Sequence, residues 1–227
     1  MKNPKTVLAA SLQYNLLAYR HDQLYLPGAI WLLFVIIFAF FRSPGFEFDV
    51  AGAYFGIVVP LIAGVLAASA VLTDPALELH FSSPRPAWFI LAERLGLILV
   101  ASGVTALAFQ GFVMLNGMDL SPFGSFFNLQ LDWLVPSLAL MSLAASVSFG
   151  FKQSTPGALF TGLIWLVQVL LREWFLATPA ARYFFLFTGV RAPDSPSLAA
   201  NMIILVAISA GLTILSIALI RKTERYL

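Results

Sequence analysis

The chain has no cysteine and only two histidines, His21 and His80, in 227 residues. Disulfides and thiolate metal sites are therefore excluded. Neither histidine lies in a long apolar run with a carboxylate partner, which argues against a membrane metalloprotease. Charge is also scarce. Charged residues make up 11% of the chain and hydrophobic ones 60%, where soluble domains carry about 25% charged residues. No soluble fold of this size hides so much apolar surface, so lipid must cover part of it. The net charge of +2 is too small to point to nucleic acid. A Gly-x-Ser-x-Gly nucleophile turn, a GxxxxGK[ST] phosphate loop and paired intramembrane aspartates are all missing. The chain thus reads as a non-enzyme, unable to hydrolyse ATP by itself. No charged residue stands near the centre of an apolar run: Asp132, Arg172 and Glu173 fall near the ends, and Gln110 and Gln168 are neutral. That argues against a proton- or sodium-coupled carrier. The two glutamines read as interhelical hydrogen-bond partners.

What the chain has is apolar length. A helix needs about 20 apolar residues to cross a bilayer. Six stretches qualify: 24–41, 51–72, 95–115, 131–151, 157–176 and 198–220. The expected fold is an all-α polytopic membrane protein, a single transmembrane domain over 1–227. Six spans put both termini on one side. With that side inside, the inner segments hold Lys2, Lys5, Arg20, Arg85, Arg94, Lys152, Arg221, Lys222 and Arg225. The outer segments hold Arg42, Arg172, Arg182 and Arg191. The positive-inside rule then places both termini in the cytoplasm.

Between the spans the pattern predicts three further features. Residues 1–23 read as an interfacial helix, with Leu8, Leu12, Leu16 and Tyr19 on one stripe. Gln13, Asn15, Arg20, His21 and Asp22 interrupt any signal-peptide core, so this segment should remain in the mature protein. Residues 73–87 form a charged connection too polar for hydrocarbon. There Asp74 caps a helix opened by Pro75, Leu77 and Phe81 share one face, and Pro84 ends it. Residues 177–197 contain a run from Arg182 to Phe187 too aromatic for a free loop. It either dips into the outer leaflet or packs over the bundle.

Within the spans, Gly52, Gly56, Pro60, Gly64 and Ala68 make a column of small residues four apart. Such a column lets another helix approach closely, in the same bundle or across a dimer. Pro60 and Pro136 should kink their helices. Ser154-Thr155-Pro156 reads as a cap followed by a first-turn proline.

Taken together, these features resemble the ABC-2 type permeases, the membrane subunits of bacterial ABC exporters. The resemblance rests on Glu78, Ser83 and Pro84 before the third span, Arg94 just after, and a Glu224-Arg225-Tyr226-Leu227 tail. Asp74-Pro75-Ala76 stands where members often carry Gly-Thr or Gly-Ser. The family implies a permease paired with a second copy or a paralogue. Each copy docks a separate ATP-binding subunit, where ATP and Mg reside; this chain holds no cofactor. Asp74, Leu77, Glu78, Phe81, Ser83, Pro84 and Arg85 would form the coupling helix seated in that subunit. Arg20, His21, Asp22 and Arg94 would make secondary contacts on the same cytoplasmic side. The implied setting is the bacterial inner membrane, and the apolar walls suit a hydrophobic or amphipathic substrate. The competing reading is a non-transporting scaffold that recruits a cytosolic protein through the same segment.

Overall fold

The computed structural model describes residues 21–41, 43–70, 72 and 87–224. All regular elements among them are helical. In chain order they are α1 (His21–Phe40), α2 (Pro44–Gly52), a π-helical turn (Ala53–Val58) and α3 (Val59–Ser69). These are followed by α4 (Ala87–Leu115), α5 (Phe126–Phe151), α6 (Ser154–Leu170) and α7 (Arg172–Ala177). The short α8 (Thr188–Arg191) and the long α9 (Leu198–Glu224) complete the set. Single 3₁₀ turns lie at Ser121–Phe123 and Ala181–Phe184.

Four of these stretches are long and apolar enough to cross a membrane: Gly45–Ser69, Trp88–Leu115, Phe126–Phe151 and Leu198–Arg221. Together they point to a membrane protein. The first and fifth expected spans correspond to the shorter apolar helices Tyr25–Phe40 and Ser154–Leu170. At 1.5 Å per residue the 17 residues of α6 reach only about 25 Å, against about 30 Å of hydrocarbon. The expected fifth span, 157–176, is broken at Leu171, where φ −99° and ψ 23° leave the helical region and α7 starts afresh.

Polar residues did not stop the helices where hydropathy placed the boundaries. His21 and Asp22 already lie within α1, ahead of the expected start at 24. The second span reaches back to α2, which opens on Pro44 with Glu47 in its first turn. Both choices suit a helix N-terminus, whose first N–H groups are free and whose dipole favours acid. α6 begins at Ser154, with Gln153 as the extended residue before it. The cap is therefore not Ser154 or Thr155, and Pro156 sits third, still among residues with no intrahelical bond to lose. Ser125 caps α5 by accepting from Asn128 N at 3.2 Å. Lys152 ends it in the left-handed region (φ 56°, ψ 28°), with Gln153 N bonded to Ser148 O at 3.1 Å.

α5 is the central element. It packs against α3, α6 and α9, and 67% of its span is buried, against 22% of α9. Small polar residues allow the close approach. Ser146 Oγ bonds to Leu212 O at 2.9 Å and to Ser216 Oγ at 3.0 Å, joining α5 to α9. On the other flank, α1, the π turn and α4 share an aromatic core in which Tyr54 and Phe109 stand 4.3 Å apart and Phe48 stacks on Phe123.

The π turn follows from Pro60. Proline cannot donate to the preceding turn, and the helix widens before it: Val59 N bonds to Tyr54 O, five residues back. Trp165 Nε1 on α6 crosses to Ile57 O at 2.8 Å. At one end of the bundle, Leu72, Leu91, Phe149 and Ile220 meet in one cluster. That contact gathers the end of α3, the start of α4 and the ends of α5 and α9.

Candidate functional site

The polar machinery of the described bundle concentrates where the segment 181–191 enters it. Phe185, Leu186 and Phe187 are buried against Val135, Ala139, Leu140 and Leu205. A non-helical main chain in such surroundings needs partners from side chains. Two neutral residues supply them. Gln168 on α6 accepts from Leu186 N at 2.8 Å and donates to Phe184 O at 3.3 Å. Asn201 on α9 donates to Arg182 O at 3.0 Å and to Phe185 O at 2.9 Å. Thr188 Oγ1 also donates to Phe185 O, at 3.0 Å.

Beneath this segment lies Asp132, in the second turn of α5. It is 4% exposed, and neither carboxylate oxygen has a hydrogen-bond partner among the described residues. Gly189 presses on it so closely that a Cβ there would collide with Oδ1. Asp132, Gly189 and Asn201 line one small cavity, walled otherwise by apolar groups such as Val135, Met202 and Leu205. Pro136 lines it too. Its missing N–H deprives the Asp132 main-chain carbonyl of its helical donor.

A second polar chain ties α4 to α5. Gln130 Nε2 donates to Gln110 Oε1 at 3.0 Å, and Trp133 Nε1 donates to Gln130 Oε1 at 2.9 Å. Gln110 and Gln168 thus both bond across elements.

The residues that the family resemblance points to are placed as follows. Arg20, Asp74, Leu77, Glu78, Phe81, Ser83, Pro84 and Arg85 lie outside the described residues. Arg94 is buried, and its Nη1 donates to Ala70 O at 2.5 Å, holding the start of α4 against the end of α3. The small-residue column packs inside this chain. A methyl on Gly52 would stand 2.9 Å from Val190 Cγ1, and one on Gly56 2.5 Å from Val190 Cγ2. One on Gly64 would stand 2.7 Å from Thr161 Cγ2, and Ala68 is buried in the core between helices. The column accommodates α8, α6 and α5.

Sequence reasoning set Asp132 near a helix end and did not single out Asn201 or Gly189. One signal was available: a proline four residues after an acid frees that acid's carbonyl. Burial of the carboxylate was invisible, because it comes from Gly189 and Asn201, far away in sequence. Compared with protein-family models, curated proteins and solved structures, the chain matches none.

Proposed function

We propose that this chain is the membrane-spanning subunit of an ATP-driven exporter, a permease of the ABC-2 type in a bacterial inner membrane. Six apolar segments cross the bilayer with both termini cytoplasmic: the four long helices, Tyr25–Phe40 where the bilayer thins to meet it, and Ser154–Leu170 continued by Arg172–Ala177. The chain pairs with a second copy or a related permease. A separate ATP-binding subunit grips the segment 74–85, with Leu77 and Phe81 as apolar anchors and Glu78 and Arg85 in charge-assisted hydrogen bonds. ATP binding there switches the helices between two arrangements, and a hydrophobic or amphipathic substrate moves outward.

One observation supports this reading most. The cluster of Leu72, Leu91, Phe149 and Ile220 brings the helix ends that flank 73–86 together with the ends of α5 and α9. The described residues that flank the charged connection thus lie at the same end of the bundle as Lys152 and Arg221. Arg85, Lys222 and Arg225 adjoin these ends in sequence, so lysine and arginine gather there, the bias expected of a cytoplasmic face.

The test is affinity purification of the chain from its native membrane in mild detergent, with mass spectrometry of what accompanies it. A stoichiometric ATPase carrying a phosphate-binding loop is the expected result. Recovery of a cytosolic protein without any ATPase would overturn the exporter reading in favour of a scaffold.

A further inference from the structure

The cavity at Asp132 presents an imbalance of hydrogen-bonding groups. Asp132 contributes two carboxylate oxygens that no described residue contacts with a donor. Asn201 lines the same cavity, but both its amide hydrogens are already given to Arg182 O and Phe185 O. Only its oxygen remains to offer. Pro136 leaves the Asp132 main-chain carbonyl without its helical donor. The polar side chains at this cavity therefore bring acceptors and no free donor.

Among the described residues, no cation partners the carboxylate. The groups facing it from α5, from the segment 186–189 and from α9 are uncharged. The arginines flanking the segment are engaged elsewhere. Arg182 Nε donates to Pro179 O at 3.1 Å and its guanidinium stands 5.9 Å from the Tyr183 ring. Arg191 stands 4.0 Å from Asp49. An unpaired charge in such surroundings costs several kcal/mol, so the acid takes up either a proton or a bound cation. The cavity has room for about one water-sized atom. One negative charge and a few hard oxygens match a single monovalent metal ion better than a divalent one.

We propose that Asp132, Asn201 and the carbonyl freed by Pro136 bind one alkali-metal cation, which fastens the segment 181–191 onto α5. This site stands independently of the exporter reading. It is a fastening site near one end of α5, and involves no transport of the ion.

The experiment is thermal unfolding of the purified full chain in mild detergent, followed by tryptophan fluorescence. Sodium, potassium or choline chloride is titrated at constant ionic strength. Sodium or potassium should raise the midpoint by several degrees and saturate, and choline, too large for the cavity, should not. Asp132→Asn should abolish the response. Pro136→Ala restores a helical donor to the carbonyl while leaving the carboxylate in place. It should raise the half-saturating concentration about tenfold. This second variant decides the matter if Asp132→Asn does not fold. An equal effect of choline overturns the site, as does a response retained in Asp132→Asn. Stabilisation by acid with no effect of either metal ion, or an unshifted titration in Pro136→Ala, overturns it as well.

Discussion

Gly189 rests its main chain on the carboxylate of Asp132, with no space for a Cβ between them. The contact joins two elements remote in sequence, and a methyl on Gly189 would have to displace the carboxylate. Gly189→Ala should therefore cost about 1–3 kcal/mol, the usual range for overpacking a core. Lower thermal unfolding midpoints in the purified variant would show this. An unchanged midpoint would mean that the carboxylate has another position open to it.

Gln168 closes two main-chain groups of the buried segment with one side chain. Gln168→Leu keeps the volume but strands Leu186 N and Phe184 O in apolar surroundings. The expected loss is about 2–6 kcal/mol, from about 1–3 for each of the two stranded groups. Gln168→Glu keeps the acceptor and loses the donor, so it should fall between. Limited proteolysis across 177–197 should speed up in the order wild type, Glu, Leu. Equal rates would contradict the role assigned to Gln168.

Trp165 satisfies the carbonyl of Ile57 at the widened turn before Pro60. Trp165→Phe removes the donor and keeps most of the ring. A loss of about 0.5–1.5 kcal/mol is expected, within the range for one intramolecular hydrogen bond. Adding Pro60→Ala should soften the effect, since the turn can then return to α geometry. If the two changes were strictly additive in unfolding measurements, the bond and the proline would be uncoupled.

Asp119 accepts from Ser121 N at 2.8 Å and from Ser121 Oγ at 2.5 Å, in the loop before α5. These bonds hold its carboxyl below the ordinary carboxylate range. The sign follows directly. A depressed folded-state value stabilises the turn at pH above the unfolded value, and the stabilisation is lost as pH falls through the folded one. The residue is fully exposed, so the consequence is local. The Ser121 amide resonance should titrate in acid, and Asp119→Asn should remove the titration.

Phe81 lies outside the described residues, and its role rests on the exporter reading. Phe81→Ala should reduce co-purification of the ATPase while leaving the unfolding midpoint of this chain unchanged. Undiminished co-purification would remove Phe81 from the anchor without touching the rest of the proposal.

Helix existence was legible because lipid-covered helices need apolar residues in long runs. Their boundaries were less so. Glu47 and Asp49 read as loop, yet they sit in α2, because helix hydrogen bonds are internal and indifferent to side-chain polarity. The family resemblance set Arg94 among the secondary cytoplasmic contacts. In the bundle its side chain donates to a carbonyl at the end of α3. For the glycine column, spacing announced a close approach and left its partner open. Val190, Thr161 and Leu140 filled it.

By itself the sequence determined the solvent: scarce charge and long apolar runs require hydrocarbon around most of this chain. It also located the charged connection between the second and third spans, since polarity there has no place in lipid. Only the tertiary structure decided that Asp132 is enclosed. Enclosure depends on which distant residues arrive beside it, and Gly189 and Asn201 carry no charge or periodicity to announce themselves. Composition sets which surfaces seek water, while long-range packing sets which polar atoms are cut off from it.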